Sequence, residues 1–458
     1  MASPPVARSG GSPVFPPSRP ILVLVLAAAL ALPVSTLAAP PPVMPLPPPI
    51  PEVLEGFAIQ PLAAFAGTTT ALAFGPGDAD GPDLYATAGS DVVRVPLMWT
   101  AAGPVPTGPA ESFVAGFQGP LGLTFDASGG ALYVSDSHSG AESGRTDGRV
   151  TRVVAGVKEV VVDGLPNGRH NTNHLRFGPD GRLYIANGNP NDNGVDGGEA
   201  DVLPYSGAIL SVDTAQVAAS PAVLHWQDTG GNAIPPSLIA SNPRNADFAS
   251  KVSVLAHGFR NVFGIAFHPT LGIGYTAMNG QDTPSSQDTF YRLTPGTDYG
   301  FPFCHDRGIP GDVGAAITKA ANPIFPGTDC TPYGKADALL GWHVCATGID
   351  FPTPGPWEFP AAFQNSAFVG ECGPFQPDDA LIQGLNGGLL THNTGHKVVR
   401  LALDANGHAT DLHDFITGLG LPTDVRFGPD GAMYIADAVV AYRVAPGLGP
   451  TPGLVATP

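Results

Sequence analysis

The chain has 458 residues, among them 59 glycines and 51 prolines, and a formal charge of −18. That length suits one large domain or two small ones, and glycine and proline, about a quarter of the residues, punctuate short apolar runs as in a turn-rich all-β protein. The acidity and the lack of a basic stripe exclude a nucleic-acid partner; the charge supports solubility and by itself names no partner.

Residues 1–38 read as an export signal: Arg8 and Arg19 precede an apolar run, Ile21 to Leu32, and Thr36-Leu37-Ala38 offers a cleavage site. The run is too short for a comfortable membrane span, and a signal anchor is the rival reading. Cleavage leaves no stable membrane insertion and implies bacterial export, to the periplasm or the medium. Residues 39–52 are proline-dominated and are expected to form an extended tether. The folded domain is expected over residues 53–448, with a tail over 449–458.

An internal repeat runs through that domain: an apolar strand, a Gly/Asp turn and a second strand carrying Tyr. The copies are Thr70 to Gly89, Leu121 to Ser137, His174 to Asn189, Phe263 to Gly280 and Asp424 to Ala438, with a weaker one from Thr347 to Glu371. Most are trailed by another strand ending near an Arg, as in VVRVPL and HKVVRLAL. Gly-Pro-Asp-Gly closes a tight hairpin, because Gly tolerates positive φ and Pro presets its own. Small antiparallel sheets cannot hide both faces alone, so they stack on one another. Six copies predict an all-β fold, a six-bladed β-propeller; a large β-sandwich is the runner-up. The longest insertions, Asn187 to Tyr205, His225 to Val254 and Tyr299 to Trp342, are expected at one mouth of the ring.

Four cysteines, Cys304, Cys330, Cys345 and Cys372, suggest two disulfides in an exported chain. Proximity along the sequence favours Cys304–Cys330 and Cys345–Cys372 over the other pairings. There is no CxxCH haem site and no CxxC motif.

Several polar residues exceed what a structural repeat needs. His170, in RHNTNHLRFGPDG, enters a strand from a polar loop and suits a proton acceptor near neutral pH, or else a turn hydrogen-bonder. Arg260 and Asn261 head an apolar strand; the arginine can polarise a carbonyl, grip a carboxylate or tie loop carbonyls together. Asn279, Asp282 and Asp288 offer hard oxygens suited to Ca²⁺, or to Asx-turns, and Asn187 to Asp196 is a second oxygen-rich loop. No G-x-S-x-G, phosphate loop or HExxH is present, and no Ser-His-Asp order stands out.

Taken together, Gly-x-Arg-Asn-x-x-Gly-x-Ala-Phe-x-Pro (Gly258 to Pro269), His-x4-Leu-x-Phe-Gly-Pro-Asp-Gly (His170 to Gly181) and Asp298-Tyr299-Gly300-Phe301-Pro302 resemble the glucose/sorbosone dehydrogenase family, soluble six-bladed quinoproteins that use pyrroloquinoline quinone (PQQ). The likeness runs roughly from Gly56 to Pro446. It implies a dehydrogenase acting on a sugar or related polyol, with a separate electron acceptor. His170 takes the proton of a sugar hydroxyl, and Arg260, with Asn261 alongside, stabilises charge on the quinone. Gln118 corresponds to a glutamine beside the cofactor, one residue short in spacing. Ca²⁺ is implied next to PQQ, in the loop from Asn279 to Asp288. The family's acid behind the base falls on Asn189, and a basic residue four positions after the base is His174. GECGPF and THNTGHK replace the family's cofactor-gripping signatures, leaving Lys335, Lys397 and Arg400 as candidates for the PQQ carboxylates. The alternatives are a non-catalytic carbohydrate- or protein-binding propeller and a metal-dependent, lactonase-like hydrolase.

Overall fold

In two copies of the repeat the turn accounts for its own sequence. Gly181 and Gly431 adopt φ of +77° and +81°, the left-handed region that glycine reaches without strain. The turn aspartates Asp180 and Asp430 accept hydrogen bonds from the tyrosines four residues on, Tyr184 at 3.0 Å and Tyr434 at 3.1 Å. The Arg of the trailing strand closes the motif in places: Arg443 reaches Asp430 at 2.8 Å, and Arg94 pairs with Asp83 at 2.5 Å. In the sixth blade Asp430, Tyr434 and Arg443 form one bonded unit, whereas in the first Tyr85 donates to Pro76 O.

The computed structural model describes residues 51–447, apart from 78, 145, 197–198, 201, 282, 284–285 and 374–394. Six sheets of four or five strands follow one another in chain order, antiparallel except where Ala222–Val223 adds to the second in parallel. Their inner strands are Leu72–Gly75, Gly122–Phe125, Thr172–Phe177, Asn261–Phe267, Ala346–Asp350 and Pro422–Phe427. Each inner strand packs on the next, and the sixth packs back on the first, so the sheets close into a six-bladed β-propeller. The outer strand of the sixth blade is Phe57–Ala64, which pairs with Val440–Pro446 and joins the two ends of the domain. Apolar clusters such as Leu72, Leu84 and Val95 with Tyr434 and Ala436 fill the seams between blades.

The expected signal, all but the end of the tether, and the tail lie outside the described residues. Glu52, assigned to the tether on sequence, instead begins a short strand, Glu52–Val53, paired with Thr417 and Ile416 of the fifth blade. The prolines stop at Pro51, and pairing starts where backbone donors return. Both disulfides join the cysteines that sequence proximity favoured, Cys304–Cys330 and Cys345–Cys372.

At the leading ends of the inner strands, every blade junction carries a polar tie. Thr70 Oγ1 donates to Pro120 O at 2.8 Å, Ser135 Oγ to Asn173 O at 2.5 Å and Asn173 Nδ2 to Val262 O at 2.6 Å. Asp288 of the fourth blade accepts from the Cys345 and Ala346 amides of the fifth at 2.7 and 3.3 Å. Thr347 Oγ1 donates to Pro422 O at 2.8 Å and Thr423 Oγ1 to Thr69 O at 2.6 Å. Lower on the same strands lies a charged cluster: half-buried Arg176 of the third blade meets half-buried Asp350 of the fifth at 2.8 Å, and buried Arg426 meets Asp424 of its own strand at 2.8 Å. The ring is therefore plugged below and hollow above.

Candidate functional site

The hollow is a cavity of about 640 Å³ at the leading ends of the inner strands. Register shifts in the third to sixth blades, beginning at Thr172, Val262, Ala346 and Pro422, bulge those strands at the rim. A bulge re-aims a side chain, and one residue from each bulge, Asn173, Phe263, Thr347 and Thr423, lines the cavity.

His170 and Arg260 meet here because they occupy equivalent loops. Each lies between the outer strand of one blade and the inner strand of the next, in two successive junctions, and both line the cavity. His170 is 6% exposed and Arg260 3%. The backbone of Asn189 joins them: its carbonyl accepts from His170 Nδ1 at 2.5 Å, and its N–H donates to the Arg260 carbonyl at 2.6 Å. Gly188 permits this approach, since a Cβ there would lie 2.5 Å from His170 Cβ and 2.9 Å from Asn261 Oδ1. With Nδ1 donating to a carbonyl, Nε2 carries the lone pair. Burial, reinforced by the Arg260 charge, pushes the imidazole down to about 3, so it is neutral at ordinary pH.

The sequence reasoning assigned Asn189 a supporting role through its side chain. The support comes from the backbone instead: Nδ2 donates to Ser206 Oγ at 3.2 Å and Oδ1 accepts from the Asn191 amide at 2.9 Å. Asn261 lines the cavity and accepts from Asn173 Nδ2 at 2.9 Å. The Arg260 guanidinium donates to Asp192 O at 2.8 Å, to the Asp192 carboxylate and to Asn279 O at 3.3 Å.

Other candidates are placed differently. Gln118 sits in the loop equivalent to those of His170 and Arg260 but is exposed and not part of the cavity wall. Lys335 donates to Ile317 O at 3.1 Å. Lys397 is buried between Asp414, at 2.7 Å, and Glu371, at 3.6 Å. Arg400 bonds Ser366 and Ala362. None of these three reaches the wall, because each answers a local acceptor within its own insertion or blade. His174 lies beneath the wall, donating from Nε2 to Thr70 O at 3.0 Å and packing against Phe263.

Of the proposed calcium ligands, Asn279 and Asp288 line the cavity, and Asp282 lies outside the described residues. Asn279 Oδ1 is buried with no hydrogen-bond partner. Asp288 is committed: it accepts from Gly280 N at 2.8 Å as well as from Cys345 and Ala346, and burial raises its carboxyl to about 6. Among the described residues no group of three His, Cys, Asp or Glu is suited to a metal. The sequence reasoning missed the cavity residues Arg169, Asn173, Phe263 and His343, and it did not place the Cys345–Cys372 disulfide, whose pairing it favoured, in the wall. A buried amide or aromatic at a strand start carries no chemical signature; Arg169, beside the base, could have been flagged by its charge.

Comparison with solved structures identifies the architecture. A Trichoderma reesei protein of carbohydrate-active enzyme family AA12, in its calcium structure, superposes with TM-score 0.61 at 16% identity, covering 88% of this chain and 99% of that one. The PQQ domain of pyranose dehydrogenase from Coprinopsis cinerea gives TM-score 0.59 at 15% identity, covering 88% and 99%. PQQ-bound aldose sugar dehydrogenase from Streptomyces coelicolor gives 0.51 at 18%, covering 86% and 100%. This chain has the fold of the PQQ-dependent sugar dehydrogenases. By sequence, 259 residues are 24% identical to the HIPL1 protein of Arabidopsis thaliana, a match over 52% of this chain and 34% of that protein, so the likeness spans about a third of the relative's length. No protein-family model matches the chain.

Proposed function

We propose that the protein is an exported, PQQ-dependent dehydrogenase that oxidises a sugar or related polyol and passes electrons to a separate acceptor. The observation that carries this reading is the joining of His170 and Arg260 through the backbone of one residue, Asn189, at the wall of one cavity. The residues suit a flat, anionic cofactor: in a chain of charge −18, the wall carries Arg169 and Arg260, the Phe263 ring, and among its described residues a single carboxylate, Asp288, which three amides occupy. Two disulfides agree with export.

When bound, PQQ supplies the quinone that accepts hydride from the substrate carbon. The protein's share is proton handling and placement. His170 Nε2 accepts the hydroxyl proton, and the Asn189 carbonyl keeps Nδ1 protonated and the ring oriented. Arg260 presents a fixed positive charge from the wall. For calcium, Asn279 Oδ1 is a buried hard-oxygen donor without a hydrogen-bond partner, and among the described residues no group of three His, Cys, Asp or Glu accompanies it.

A binding-only role is favoured by one observation: an imidazole held at about 3 is a weak base. The hydrolase alternative needs several metal-facing carboxylates, whereas Asp350 and Asp424 on the axis are ion-paired below the cavity. The deciding experiment is reconstitution of the purified chain with PQQ and Ca²⁺, then dye reduction across aldoses and alditols. Absence of both fluorescence quenching and a thermal shift with PQQ would end the proposal; PQQ binding without turnover would select the binding-only role.

A further inference from the structure

Asp192 lies in the oxygen-rich loop of the third blade, and its carboxylate and carbonyl hold two edges of the Arg260 guanidinium. Asn279 O holds a third nitrogen at 3.3 Å. Arg169, on the His170 loop, brings its Nε to 3.9 Å from the same carboxylate. The charged groups facing His170 are therefore two cations, Arg260 and Arg169, and one anion, Asp192. Position 189, three residues earlier, has no charge to offer, and its amide is turned to Ser206.

We propose that Asp192 is the positioning residue of this site, locking Arg260 against the base while holding down the cavity's affinity for anions. The inference deepens the PQQ reading and rests on it for its catalytic half. A carboxylate bonded to a guanidinium fixes the planar fork in orientation. The same carboxylate cancels positive charge that an anionic ligand in the cavity would otherwise feel. Removing one unit charge about 10 Å from such a ligand, at an effective dielectric of about 20, changes affinity by more than about tenfold.

Two variants separate the roles. Asp192→Asn keeps an acceptor oxygen and removes the charge; Asp192→Ala also removes the lock. PQQ binding to the full chain is read by quenching of tryptophan fluorescence at low and high salt, and kcat and KM by dye reduction. We expect Asp192→Asn to bind PQQ more than about tenfold tighter than wild type at low salt, the gap closing as salt screens it. Asp192→Ala should lose more than about tenfold in kcat with KM little changed, the mark of a lost transition-state contact. Unchanged or weaker PQQ binding by Asp192→Asn, with only a lower melting temperature, would mean a purely structural role and overturn the proposal. The same ordering is required with citrate, a tricarboxylate read by thermal shift. A wild type that ignores PQQ thus defeats the functional reading, while citrate still decides the charge claim.

Discussion

His170 is held in the form a base needs, and its surroundings set the pH at which that form is lost. With its imidazole pushed down to about 3, the rate should show no inflection near 6.5, the ordinary histidine value, and an acid limb only below about pH 4. A pH profile of kcat/KM checks this. His170→Ala should reduce turnover by about 10²–10⁴ and shift the melting temperature by only a few degrees; a variant as active as wild type rejects the base. Glu371 gives the opposite sign. It is wholly buried beside Lys397, and burial raises its carboxyl to about 8 against the opposing Lys397 charge. The fold favours its neutral form, so stability is full below the unfolded carboxyl value and falls as pH rises from about 4.5 towards 8. Melting curves from pH 5 to 9 should show this loss in the wild type, and Glu371→Gln should flatten it. His170 and Arg260 were legible in the sequence because each stands just before an apolar strand that does not need it. The Asn189 backbone contacts and the Asp192 lock were not, since a backbone acceptor has no residue type and a contact 68 residues apart has no spacing rule.

The inner strands do two jobs with one set of side chains. Five of the six tie residues, Thr70, Asn173, Asp288, Thr347 and Thr423, also face the cavity, so the rim that shapes the site holds the blades together. Thr347→Val and Thr423→Val each leave a buried carbonyl without its donor and should cost about 1–3 kcal/mol in denaturant unfolding. Paired with cavity-binding assays, these variants should weaken the ring before they change ligand preference. The Cys345–Cys372 bridge closes a loop of 27 residues at the same rim; replacing both cysteines by serine should cost about 3 kcal/mol on chain-entropy grounds. At this scale the hairpins were readable from Gly-Pro-Asp-Gly and alternation, even in the weak fifth copy. The bulges were not, because register shifts arise from pairing with a neighbour strand that the local pattern does not encode.

The whole ring depends on one strand borrowed from the beginning of the domain. Phe57–Ala64 completes the sixth sheet by pairing with Val440–Pro446. A chain starting at residue 51 should melt as the full chain does, whereas one starting at residue 65 should expose the Val440–Pro446 edge and be digested rapidly by protease. Circular dichroism and limited proteolysis of the two truncations test this. Six units could be counted along the sequence, but which segment closes the circle could not, since FAIQPLAA carries no turn signal and no Tyr. That arrangement also imposes an order in time. The first half of the seam is made early and its mate nearly last, so a growing chain carries an unmatched edge through almost its entire synthesis. Long-range pairing of this kind is slow to form and prone to stray association. The newborn polypeptide should therefore depend on chaperones for most of its length, and become self-sufficient only when residue 446 is free to dock.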